Sequence, residues 1–104
     1  MDQFKFHGGR IHSVEFEAKT GRYIGHQPYR DSDGQLQFTL RIEHEKDNYL
    51  TRFCIIDHMD DGKEHAIGYT ETNEINDPMD MIRLYEYQDL RHIEKEIKRI
   101  WMNR

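Results

Sequence analysis

Leu36, Phe38, Leu40 and Ile42 alternate with Gln35, Gln37, Thr39, Arg41 and Glu43, and this pattern constrains the fold more than any other. A period of two puts the apolar side chains on one face of an extended strand, whereas a helix would scatter them around its axis. The segment predicts a half-buried strand, whose apolar face needs a second layer to cover it. A weaker alternation through Val14 and Phe16, with Glu15 and Glu17 outward, predicts another strand. Between Tyr49 and His58, Phe53 and Ile55 oppose Cys54 and Ile56. Apolar groups on both faces suit an interior strand, here the expected centre of the sheet. His65 to Thr70 supplies a further strand.

The punctuation between these runs is that of hairpins. Asp31-Ser32-Asp33-Gly34 precedes the Leu36 strand, Glu45 to Asn48 follows it, and Asp60-Asp61-Gly62-Lys63 joins the last two strands. Glycine accepts positive φ without steric cost, so each Asp-containing run ending in Gly reads as a turn. Gly8-Gly9 reads as a bend between two short strands. Consecutive hairpins make a meander the simplest connection.

Past Asn76 the period changes. Asp77 can cap a helix and Pro78 can fill its first position without losing a needed donor, which predicts a short helix over 78–86. Asp89 offers a second cap before Leu90, Ile93, Ile97 and Ile100, spaced three, four and three, with Arg91, Glu94, Lys95, Lys98 and Arg99 elsewhere on the wheel. Tyr87 and Trp101 widen the apolar stripe. The fold predicted is α+β: an antiparallel β-meander of about four to five strands packed against a C-terminal amphipathic α-helix, with a short preceding helix. Leu36, Phe38, Leu40, Ile42, Phe53, Ile55, Ile67 and several of Leu90, Ile93, Ile97 and Ile100 should form its core. The 104 residues make one domain, 1–104, because no linker or repeat divides them.

Cys54 is the only cysteine, which excludes an internal disulfide framework or a cysteine-rich zinc site and predicts a buried, inert thiol. No uncharged run approaches the ~20 residues of a membrane span. The N-terminus carries no apolar signal segment, so a reduced, cytoplasmic protein is expected.

Charge is uneven. Between residues 57 and 80, eight carboxylates, those of Asp57, Asp60, Asp61, Glu64, Glu71, Glu74, Asp77 and Asp80, are set against Lys63 alone. Such a stretch repels nucleic acid and attracts a basic surface.

Other chemistry finds less support. Ser13 and Ser32 are the only serines and neither lies in a nucleophile elbow. His7-Gly8-Gly9-Arg10 lacks the spacing of a phosphate loop. The run from Asp31 is a turn rather than half of a calcium loop, since Leu40 stands where the terminal glutamate belongs. No catalytic residue is assigned.

His58 and His65 lie side by side if Asp61-Gly62 is a two-residue loop, a geometry compatible with shared zinc coordination. A type I turn with Gly62 as a left-handed bulge pairs His58 with Glu64 instead. Arg22 to Arg30 interleaves basic and aromatic residues as single-strand binders do, or forms an irregular loop with its tyrosines on the sheet edge.

The function expected is that of a small acidic non-enzymatic interaction protein, in composition like phage or bacterial inhibitors and immunity-type proteins. It would use the acids of 57–80 to block a basic, for example nucleic-acid-binding, site on a protein partner. The alternatives are a small metal-dependent hydrolase built on the His58 and His65 pair, or a nucleic-acid-binding module using residues 22–30.

Overall fold

The structure, a computed structural model, describes residues 7–8, 11–86 and 91–103. Six strands, β1 (His7–Gly8), β2 (His12–Glu17), β3 (Arg22–Arg30), β4 (Leu36–Glu45), β5 (Leu50–Asp57) and β6 (Lys63–Glu71), form one antiparallel sheet. Its spatial order is β1-β3-β4-β5-β6, with β2 also beside β3. From β2 to β6 each strand pairs with the next in the chain, which is the meander expected. β1 and β2 share one edge of β3, at Tyr29–Arg30 and at Arg22–His26 respectively. Pro28, which has no N–H to give, lies opposite the interruption between them. The bend expected at Gly8-Gly9 falls partly outside the described residues.

Two helices follow, α1 (Pro78–Glu86) and α2 (Arg91–Met102). Asp77 caps α1 as its position predicts, its Oδ1 accepting the Asp80 N–H at 2.9 Å, and Asp80 Oδ2 reaches back to the Asn76 N–H at 3.0 Å. The second cap, Asp89, lies outside the described residues with Tyr87 and Leu90. Within α2, Ile93, Ile97 and Ile100 are buried at the expected spacing.

One face of the sheet and the two helices enclose the core. Strand alternation turns Phe38, Leu40 and Ile42 of β4 and Ile55 of β5 inward, all fully buried, against Met81, Tyr85, Ile93 and Ile97. Phe53 and Ile67 are half-buried beside them, and the Phe53 ring meets Tyr85 edge-on at 5.5 Å. At about 25 cal/mol per Å2 of apolar surface removed from water, this layer is the main stabilising contribution.

Four expectations are corrected. Arg22 to Arg30 is neither a loop nor a sheet-edge segment but β3, an interior strand. Its inward positions, Tyr23, Gly25, Gln27 and Tyr29, are all buried, and a glycine and a glutamine among them conceal the alternation. Gly25 suits the tight packing there, since a Cβ would meet Val14 at 3.0 Å and Ile11 and Met81 at 3.3 Å, and these side chains would have to give way. The centre of the sheet is β4, and β5 lies next to the β6 edge.

Leu36 is 38% exposed rather than core. It pairs with Arg30 while Phe38 pairs with Tyr29, so Gln37 is an extra residue that shifts Leu36 to the other face.

The hairpin adopts neither of the expected registers, because Asp57 pairs with Lys63 across a five-residue loop, 58–62. Asp57 ends β5 one residue early: its Oδ1 accepts the Met59 N–H at 3.0 Å and its carbonyl accepts the Gly62 N–H at 2.9 Å. Positive φ at both Asp61, 54°, and Gly62, 74°, closes the loop.

Candidate interaction surface

The outer face of the sheet carries charge where the inner face carries apolar groups. Arg22 reaches Glu45 at 3.0 Å and Glu43 at 3.4 Å; Arg41 stands 3.0 Å from Glu43 and also pairs with Glu64; Arg52 stands 3.7 Å from Glu45. Antiparallel register makes this ladder, since Arg22 lies opposite Glu45 and Glu43 opposite Arg52. Each partly exposed pair contributes roughly 0–1 kcal/mol, so the ladder orders the surface more than it stabilises the fold.

Between Arg41, Arg52, Glu64 and Tyr69 the face opens into a cleft of about 630 Å3 floored by Cys54, Ala66 and Gly68. Burial pushes the Cys54 thiol above its ordinary range, with Glu64 and Glu43 adding to the rise against the opposing Arg41 guanidinium. A thiol so placed stays protonated and is a poor nucleophile at neutral pH.

The fold divides the eight acids of 57–80. Asp57 is 1% exposed and spent on the loop. Glu64 pairs with Arg41, Asp77 caps α1, and Asp80 pairs with Arg83 at 3.2 Å. Asp60, Asp61, Glu71 and Glu74 remain exposed, and none has a cation partner among the described residues. Asp60 and Asp61 occupy the loop before β6, while Glu71 and Glu74 lie at and after its other end. At about 3.4 Å per residue, the nine residues of β6 hold the two pairs roughly 27 Å apart. They bracket one strand rather than form a single patch.

The histidines are not brought together. His58 is exposed in the loop, its Nε2 2.7 Å from the Thr39 hydroxyl on the outer face. His65 pairs with Ile55, an inward residue, and is half-buried. The side-by-side geometry that made them a zinc pair depended on a register the chain does not adopt. No group of three or more His, Cys, Asp or Glu side chains among the described residues is arranged to hold a metal ion.

In β3, Tyr23 and Tyr29 are 6% and 1% exposed, and Tyr23 donates its hydroxyl to the Asn76 carbonyl at 2.8 Å. Rings committed to the core present no stacking face to a base, and Arg22 is engaged by two carboxylates.

Sequence reasoning missed the edge itself. β6 is the last strand, paired only with β5 among the described residues. Its exposure is nearly continuous, with Tyr69 at 72%. Gly68 within an apparent strand was the available signal, because glycine in a strand interior often marks a bulge. Here Ile67 is the extra residue between the Ala66–Cys54 and Gly68–Phe53 pairs, and Gly68 has φ 146°. No helix among the described residues is long and apolar enough to cross a membrane. No family model matches this chain, nor does any curated protein or solved structure.

Proposed function

We propose that this chain is a non-enzymatic, cytoplasmic interaction protein that occupies a basic site on a protein partner. It presents the margin formed by β6 and the segments at its two ends. The observation that carries this reading is the division of the acids: four are consumed by the fold, while Asp60, Asp61, Glu71 and Glu74 stand exposed without cations among the described residues. Unpaired carboxylates keep their field available to steer an approaching positive surface, which acts mainly on the association rate. A nucleic-acid-binding face is the basic site such a margin suits, and blocking it is the work of an inhibitor or immunity-type protein.

The test is a charge variant, Asp60→Lys, Asp61→Asn, Glu71→Lys and Glu74→Lys together. Asparagine is used at 61 because φ is 54° there and Asn tolerates the left-handed region better than Lys. With the partner captured from the native host, association and dissociation rates are compared at low and high salt. The variant should fold as the wild type does and associate about tenfold or more slowly at low salt, the difference shrinking as the Debye length falls below about 8 Å. A folded variant that associates at the wild-type rate at low salt would make the acidic margin a solubility device only.

A further inference from the structure

The geometry points to a binding mode at this margin: β6 accepts an extended segment of the partner as an added strand, with an apolar side chain of that segment seated at the Gly68 bulge and basic residues on either side of it. The inference rests on the basic-partner reading and adds the backbone to it. Thr72 donates its N–H to the Tyr49 carbonyl at 2.8 Å, continuing the register in which Glu71 pairs with Leu50 and Thr70 with Thr51. Alternation along an antiparallel ladder then directs the N–H and C=O groups of Tyr69 and Glu71 away from β5. Those groups are the template an incoming strand uses.

The bulge supplies the seat. A Cβ built on Gly68 would meet nothing within 4 Å, and the outer cleft of about 630 Å3 and a hollow of about 290 Å3 on the other side of the strand both reach Phe53, Gly68 and Tyr69. Phe53 is a core residue left half-buried, so an apolar group entering there extends the core. Strand addition draws its affinity from the main chain and its selectivity from such seats.

Charge selects the occupant. The unpaired carboxylates lie at and beyond the two ends of the strand, which favours a segment carrying lysine or arginine around its apolar residue. A second copy of this chain fits poorly. Antiparallel pairing of two β6 strands would bring Glu74 of one toward Asp60 and Asp61 of the other, and like charges so opposed are destabilising.

The probe is a nine-residue peptide alternating lysine with valine around a central phenylalanine, compared with the same peptide carrying glutamate for lysine. Amide hydrogen exchange is followed residue by residue in the full chain at low salt. With the lysine peptide at ten times its Kd, the Tyr69 and Glu71 amides should exchange roughly tenfold more slowly, and the glutamate peptide should leave them unchanged. Glu71→Gln removes one charge and keeps the N–H, whereas Glu71→Pro removes both at an edge position where proline is tolerated. Protection at Tyr69 should survive in the first variant and be lost in the second, with the circular dichroism of both unchanged. If the lysine peptide binds without protecting these amides, strand addition is wrong while the electrostatic reading stands. If it does not bind at all, both fall. Edge amides protected in a dimer of the protein alone would assign the edge to a second copy and overturn the inference.

Discussion

Ile97 is fully buried in the middle of the α2 stripe, and its replacement by alanine tests whether that helix closes the core. Ile97→Ala deletes three carbon atoms, worth about 2.4 kcal/mol at roughly 0.8 kcal/mol per buried methylene. Leu40, Ile42 and Ile55 belong to the same buried cluster and are strand residues held by pairing on both sides. They can collapse only in part, so a cavity term of about 1 kcal/mol is added and the expected loss is about 3–4 kcal/mol. A domain of this size has roughly 5–15 kcal/mol in total. With an unfolding entropy of about 2.1 cal/mol/K per residue, Tm should fall by about 15 °C. Urea denaturation followed by tryptophan fluorescence and circular dichroism measures the change, with Leu36→Ala as comparison. Leu36 is 38% exposed on the far side of a bulge, and its truncation should cost less than about 1 kcal/mol. A loss below about 0.5 kcal/mol for Ile97→Ala, or one no larger than that of Leu36→Ala, would refute the placement of α2.

Gly62→Val should destabilise the β5–β6 hairpin by about 1–3 kcal/mol, because φ is 74° there and the surrounding space is open, leaving backbone strain as the whole effect; an unchanged Tm would contradict this. Asp77→Ala should cost about 1 kcal/mol by leaving the Asp80 N–H without its cap, read as a lower urea midpoint, and Asp77→Asn should restore most of it. His44 is fully buried, its Nδ1 2.8 Å from the Thr51 hydroxyl. Burial depresses its pKa, against a smaller opposing pull from Glu45. The unfolded chain therefore binds a proton more readily, so the stability this group contributes is full above about 6.5 and declines as the pH falls from there toward the depressed folded value. His44→Gln should flatten the stability profile between about pH 7 and pH 5; an identical slope in the variant would show that His44 does not carry it.

Much of the architecture was legible because its signals are local. The alternation through Phe38, Leu40 and Ile42, the Asp77-Pro78 start of α1 and the 3-4-3 spacing of Ile93, Ile97 and Ile100 each express the geometry of one element, which neighbouring residues alone dictate. The overall layering followed, since an apolar strand face and an apolar helix stripe in one small chain have only each other to cover. What the tertiary structure decided depends on residues far apart in sequence. β3 is a strand because Ile11, Val14 and Met81 fill the space beside Gly25 and because β4 pairs along its length, neither of which is visible in a run containing Gly, Gln and Pro. Leu36 left the core through a bulge opposite Arg30, and the histidines separated when the buried Asp57 carboxylate ended its strand one residue early. The acidic window was a true feature of composition, but folding turned half of it into a loop clasp, a helix cap and two ion pairs. Which carboxylates remain available to a partner is set by where their neighbours in space place a donor or a cation, and proximity of that kind is created only when the chain folds.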